Sequence, residues 1–274
     1  MNSSKLALPA SVTPQARPAF YWTLADMLVL AKCQLMRIPR SPQKLGSATL
    51  TPVLVLFRYV FGGAIAVPPG TSYVNYLVAG FLVIAVMFGA GPTGIGLATD
   101  LQRGLVDRFR SLPMAKSAVL TGRTLADLIR STCILLVVWA VGLLIGFRPE
   151  GTILNWVAAL GLILLIDFLF IWFSALLGLV LNSVEAIQQA WTICTLPLLF
   201  ASNAFVATST MPAWLGAFAE HQPLSVFITP VRRLVLNQPD ATAIWQAIAW
   251  CVGLLVVFIP LAVWAYGRRN ARSE

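Results

Sequence analysis

Charge is scarce in this chain. Of its 274 residues, 11% are charged and 58% belong to the hydrophobic set, and the mean hydropathy is +0.82. Soluble domains carry about 25% charged residues. A water-soluble globule of this length could not cover itself with so few, which excludes a soluble enzyme, a secreted disulfide scaffold and a disordered protein together. Histidine is nearly missing: His221 is the single one. Zinc sites, His-based triads and haem pairs need more than that, or a cysteine cluster. The four cysteines, Cys33, Cys133, Cys194 and Cys251, show no metal or redox spacing. They are expected to be free thiols serving as small apolar residues. A G-x-x-x-x-G-K-[ST] phosphate loop is missing too. The glycine-rich GAGPTGIG, Gly89 to Gly96, lacks the lysine and the preceding strand. Any energy source for work is therefore expected outside this chain, which is expected to bind no cofactor or metal and to catalyse nothing itself. Acid is scarcer than base: 10 Asp and Glu against 19 Lys and Arg leave a net charge of +9. On a soluble protein that excess would suggest nucleic acid. On a membrane protein it suggests cytoplasmic loops beside lipid headgroups, and no nucleic-acid partner is expected.

Long apolar runs are what the chain does have. A helix needs about 20 such residues to cross a bilayer. Six stretches qualify, at about 47–66, 76–98, 125–147, 154–181, 189–206 and 244–266. They are continuous, as in ILLVVWAVGLLIGF from Ile134 to Phe147, unlike the alternating strands of a barrel. The expectation is an all-α polytopic membrane protein with six transmembrane helices. Lys and Arg orient it. With the N-terminus inside, the inner segments hold six before Gly46, five between Asp100 and Arg123 and three after Tyr266; the outer segments hold only Arg148, Arg232 and Arg233. The positive-inside rule then puts both termini in the cytoplasm, and the expected location is the plasma membrane, multi-pass. Trp156, Trp191, Trp245 and Trp264 fall near the expected interfaces.

No secretory signal is expected at the N-terminus. Residues 1–19 read as a loose cytoplasmic tail. Residues 20–44 hold FYWTLADMLVLAKCQLMRIPR, with apolar residues at helical spacing and Lys32, Arg37 and Arg40 towards the end. This reads as an amphipathic connecting helix on the inner surface; the alternative is an early start of the first span. Residues 45–274 form the transmembrane domain.

Three groups of residues carry functional readings. The first is the cytoplasmic segment 100–117. Leu101, Leu105, Val106 and Phe109 form an apolar stripe, Asp100, Arg103, Asp107, Arg108 and Arg110 cover the rest, and Pro113 ends the run. A short amphipathic helix held between two spans suits docking into a partner's groove; a solvated, positive loop is the plainer reading. The second is the apolar but proline-broken segment 207–236. It contains Met211, Pro212, Trp214, Glu220, His221 and Pro223, and reads as a re-entrant outer hairpin or a plain interfacial one. The third is the intramembrane charges, costly enough to mark function. Arg58 and Asp167 lie near mid-span with opposite sign, so they can neutralise one another or line a polar cavity. Asp127 and Arg130 are three apart on one helix face, which suits a local ion pair. Within the second span, Ala85, Gly89, Ala90, Gly94 and Ala98 form small-xxx-small pairs, a packing seam, and Pro92 is placed to kink it.

FRYVFGGAI (Phe57 to Ile65), DLQRGLVDRFRSLPM (Asp100 to Met114), GRTLADLIR (Gly122 to Arg130) and the run from Ser202 through MPAWLGAFAEHQPLS to Ser225 occur in this order among six spans. Together they resemble the permease subunits of type-2 ABC exporters, particularly daunorubicin-resistance-like permeases, over nearly the whole chain from about Phe20. The resemblance implies a coupling helix between spans two and three and a re-entrant outer hairpin before span six. Asp100, Arg103, Asp107, Arg108, Arg110 and Pro113 would belong to the first; Met211, Pro212, Trp214, Glu220, His221 and Pro223 to the second. It also implies a second permease copy or a related chain, and separate ABC ATPase subunits carrying ATP and magnesium. An amphipathic drug, lipid or glycolipid would be the cargo, among membrane lipids. Two rivals remain at this stage: a proton-driven transporter using Asp167, and an intramembrane lipid-processing enzyme with Glu220 and His221 as its acid–base pair.

Overall fold

The computed structural model describes residues 47–61, 71–102, 116–148, 150–181, 183–206, 208 and 211–272. The expected tail, the expected connecting helix over 20–44 and residues 103–115 of the expected coupling region lie outside the described residues.

Among the described residues the chain is helical, without strands. The helices are α1 (Ser47–Leu56), which runs on as a π-helical turn (Phe57–Phe61), α2 (Tyr73–Gln102), α3 (Lys116–Leu144), α4 (Ile153–Val180), α5 (Val184–Phe200), α6 (Ala213–His221), α7 (Pro223–Val235) and α8 (Ala241–Arg272). Four of them, α2, α3 from Thr124, α4 and α8 to Arg268, are long and apolar enough to cross a membrane. The other two expected spans coincide with shorter helices. The first begins as α1 and its π turn, and the fifth is the 17-residue α5, about 25 Å long at 1.5 Å per residue, against a hydrocarbon core of about 30 Å.

Local chemistry sets several boundaries. Thr152 caps α4 by accepting from the Asn155 amide at 3.4 Å, and Ser183 caps α5 by accepting from the Ala186 amide at 3.1 Å. Asp240 does the same for α8, accepting from the Thr242 amide at 2.9 Å. Pro223 opens α7, where its missing N–H costs nothing. Gly146, at φ +98°, turns the chain out of α3.

The core forms around α2. Its residues from Tyr73 to Met87 are all buried, so it reads as apolar all round, as a surrounded helix must. Helices α3, α4, α5 and α7 pack against it, and α8 lies outside on α4 and α7. Helix α8 keeps Trp245, Val256, Val263 and Trp264 exposed, an apolar outer surface suited to lipid.

Candidate functional site

Among the described residues, the tightest place is the crossing of α2 and α4. A Cβ on Gly94 would lie 2.1 Å from the Ser174 carbonyl oxygen, and one on Gly178 would lie 2.3 Å from the Gly94 carbonyl oxygen. The two backbones therefore touch, as small residues permit. Ser174 fixes the crossing: its hydroxyl donates to the Gly91 carbonyl at 2.9 Å and accepts from the Gly94 amide at 2.9 Å. Pro92 lies between them and has no N–H to offer the carbonyl of Phe88, four residues back. The GAGPTGIG stretch is thus a packing seam, as its spacing suggests, with α4 as the partner.

Beside the seam, α2 and α5 enclose a mostly apolar groove of about 560 Å³, lined among others by Phe88, Gly91, Pro92, Ile95, Trp191 and Thr192. The Trp191 side chain forms part of its floor: its Nε1 is 3.1 Å from where a Gly91 Cβ would stand. Trp191 is buried against its neighbouring helices. It lies on the inward stripe of α5, Ile187, Trp191, Thr195 and Leu199, at helical i, i+4 spacing. The rest of α5 is open, including Gln188, Gln189, Thr192 and Ile193.

The intramembrane charges gather between α2, α3 and α4. Arg130 and Asp127 form the ion pair their spacing suggests, with Nη1 3.0 Å from Oδ1. Both also hold α2: Arg130 Nη2 donates to the Gly89 carbonyl at 2.9 Å, and Thr93 Oγ1 donates to Asp127 Oδ2 at 2.7 Å. Asp167, on α4, is 0% exposed and faces Ser131, Arg130 and Asp127. Ser131 is a neighbouring donor, but neither oxygen holds a hydrogen bond of full geometry. Arg58 does not reach it: no ion pair joins the two, and the π turn bearing Arg58 packs on α1 and α2. Arg58 instead lies over the Tyr59 ring at 5.9 Å. Of the two readings for Arg58 and Asp167, direct neutralisation is not seen here. Sequence depth alone matched them, while helix adjacency gives Asp167 to α3.

At the opposite end of α2, the α6–α7 segment is built around a residue that flank counting hides. Arg232 is 8% exposed. Its guanidinium stacks on the Tyr76 ring at 3.5 Å, its Nε donates to the Tyr76 carbonyl at 3.3 Å, and its Nη2 donates to the Asn203 and Ala204 carbonyls at 2.8 and 3.4 Å. Tyr76 in turn donates its hydroxyl to the Asn203 carbonyl at 2.8 Å. Burial lowers the Arg232 pKa to about 10, which leaves it a cation at neutral pH. Asn203 is held by Ser225 and Thr229 of α7 at 3.1 and 2.9 Å. In sequence Arg232 reads as one of two adjacent outer charges. The signal that separates them is the apolar stripe Leu224, Phe227, Ile228, Val231, Leu234 and Val235, which places Arg232 beside the buried face. Its neighbour Arg233 is outside and pairs with Asp240.

The other residues of this segment are surface features. Pro212 caps α6, Met211 precedes it, and Trp214 is 75% exposed on the same face as Phe218. Glu220 accepts from Thr208 at 3.1 Å, and His221 Nδ1 contacts the Ala217 carbonyl at 2.9 Å. Both are exposed and engaged separately, so they do not converge on a common reacting position. Of the expected docking residues, Asp100 and Leu101 end α2, with Leu101 against the core. Arg103, Leu105, Asp107, Arg108, Phe109, Arg110 and Pro113 lie outside the described residues.

A buried helical rod, four helices of membrane-crossing length and an interior held by backbone contacts and paired charges define a polytopic helical membrane protein. Residues 26–236 match the ABC-2 type transporter family. The chain is 34% identical over 257 residues to the daunorubicin resistance ABC transporter permease protein DrrB1 of Streptomyces coeruleorubidus, covering 93% of this chain and 90% of that one. It is 26% identical to the probable doxorubicin resistance ABC transporter permease protein DrrC of Mycobacterium tuberculosis, over 100% of this chain and 99% of that one. It is 25% identical to the putative transport permease ycf38 of Porphyra purpurea over 79% and 76% of the two chains. The chain belongs to the ABC-2 type transporter family, as a permease. Membership implies association with an ABC ATPase subunit and a permease partner.

Proposed function

We propose that this chain is the transmembrane subunit of an ATP-driven exporter that moves an amphipathic drug, lipid or glycolipid out of the cytoplasm or the inner leaflet. The observation that carries the reading is α2. This 30-residue rod is about 45 Å long. One end is tied to the α6–α7 segment through Tyr76 and Arg232, and the other leads into residues 103–115. A push on that segment by an ATPase, which holds the ATP and magnesium, is carried along α2 to the far side. The α6–α7 hairpin then caps the exit as a re-entrant element, with Trp214 and Phe218 in the outer interface. Six spans complete the fold, with α1 and its continuation as the first and α5 as the fifth, and both termini in the cytoplasm of a plasma-membrane protein. The α2–α5 groove suits a cargo with a large apolar body, and the Gln188 and Gln189 amides at its edge suit a polar end.

The test is reconstitution of the permease with its ATPase in proteoliposomes. Amphipathic cargo should stimulate ATP hydrolysis and be transported. A Leu105→Glu, Phe109→Glu variant should lose co-purification with the ATPase; unchanged association sinks the docking assignment. A proton-driven reading has the buried Asp167 in its favour, and predicts transport that follows an imposed pH gradient without ATP.

A further inference from the structure

The groups left without partners in the α2–α3–α4 cluster complement one another. Arg130 Nε is a buried donor with no acceptor. Both oxygens of Asp167 are buried, and neither holds a hydrogen bond of full geometry. Ser131, 0% exposed, stands beside the carboxyl as a neighbouring donor, short of that geometry. Buried polar groups are nearly always satisfied, and a buried carboxyl without a donor is among the costliest groups to keep. Here donor and acceptor stand on adjacent helices, within electrostatic reach and short of bonding distance.

The way the helices are joined says which of them can close that gap. Helices α2 and α4 touch backbone to backbone at Gly94 and Gly178 and are pinned by Ser174, so they shift as one body. Asp167 lies seven residues before Ser174, two turns away on the same face of α4. Helix α3 is joined to α2 by side chains: Arg130 bonds the Gly89 carbonyl and Thr93 bonds Asp127, and the Ser131 and Ile134 side chains lie against Gly89. Helices α2 and α3 also flank residues 103–115, so force on that segment acts between them.

We infer that Arg130 exchanges partners during the transport cycle. In the arrangement described here it bonds Gly89 and Asp127; in the ATP-bound arrangement α3 slides along the α2–α4 pair and Arg130 bonds Asp167, with Ser131 completing the carboxyl's hydrogen bonding. Asp167 is then a positioning residue for the ATP-bound state, and Thr93 one for the resting state. The inference rests on the ATP-driven reading above.

Vanadate trapping of nucleotide in the reconstituted permease–ATPase complex, as ADP with vanadate in the γ-phosphate position, tests it. Asp167→Asn keeps the volume and removes the ion pair, so trapping should need about tenfold more ATP, within the usual range of coupling between sites. Thr93→Val keeps the volume and removes the bond that holds the resting state, so trapping should need several-fold less. Opposite shifts are the signature, since two merely structural residues would both impair. Asp167→Glu should restore part of the trapping, and size-exclusion of the detergent-solubilised complex identifies any variant that fails to assemble. Shifts of the same sign, or none, in assembled variants overturn the exchange while the wild type still traps. A wild type that traps no nucleotide overturns the ATP-driven reading and the exchange with it.

Discussion

The Arg232 guanidinium lies flat on the Tyr76 ring, 3.5 Å from its centre, and bonds the same residue's carbonyl. A buried cation is held here by an aromatic face and three carbonyls, without a carboxylate among its hydrogen-bond partners. The planar fork of arginine makes this possible; a lysine ammonium cannot stack and donate in several directions at once.

Arg232→Lys should therefore behave as a loss. It should destabilise by about 2–3 kcal/mol, from unsatisfied carbonyls and a weakened cation–π contact. Arg233→Lys, on the exposed neighbour, should change stability by less than about 1 kcal/mol. Thermal unfolding in detergent, followed by tryptophan fluorescence, compares the two. Equal effects would contradict the buried placement.

Glycine substitutions divide the same way. Gly178→Ala puts a methyl 2.3 Å from the Gly94 carbonyl oxygen, so α2 and α4 must separate, at a cost of about 2–4 kcal/mol from lost packing. A Cβ at Gly161 or Gly253 meets nothing within 4 Å, and alanine there should stabilise the helix by up to about 1 kcal/mol. Unfolding midpoints of the three variants give the comparison.

Ser174→Ala removes both bonds of its hydroxyl, to the Gly91 carbonyl and from the Gly94 amide. About 1–3 kcal/mol of destabilisation is expected, because two backbone groups lose a partner within the seam. Ser131 holds no hydrogen bond of full geometry in this arrangement, so Ser131→Ala should cost less than Ser174→Ala. Reversal of that order would count against the pinning role of Ser174.

The groove gives a prediction about transport. Thr192 lines it and is exposed, so Thr192→Trp should fill the groove without disturbing the core. Cargo-stimulated ATP hydrolysis should fall several-fold while unstimulated hydrolysis and expression stay level. Stimulation unchanged by the bulky residue would remove the groove from the cargo path.

Asp240 has two roles that substitution can separate. It caps α8 through the Thr242 amide and pairs with the exposed Arg233. Asp240→Ala should cost about 1 kcal/mol, and Asp240→Asn only a few tenths, since asparagine caps as well. Equal losses would mean that the ion pair is the larger contribution.

Much of this protein was legible in its sequence for a definite reason. Few charges and long apolar runs leave only the bilayer as solvent, and helices are the way a continuous apolar run satisfies its backbone there. The run lengths located α2, α3, α4 and α8 to within a few residues, apart from the first turns of α3 and the last of α8. The four named blocks carried the family. The i, i+3 spacing of Asp127 and Arg130 gave an ion pair because both residues ride on one helix.

Neighbour relations were set by tertiary packing alone. Arg58 and Asp167 share a depth and opposite signs, yet depth along a span does not say which spans touch. The α2–α4 contact is decided by Gly94 and Gly178 letting two backbones meet, and that contact turns Asp167 towards Arg130. Arg232 and Arg233 count alike as flanking charges, and in the sequence only the apolar stripe of α7 separates them. A rotation of about 100° between successive helical residues buries one against Tyr76 and leaves the other outside with Asp240. Composition and run length fixed the solvent and the helices; which side chains meet within that solvent follows from shape, and shape is a property of the assembled bundle.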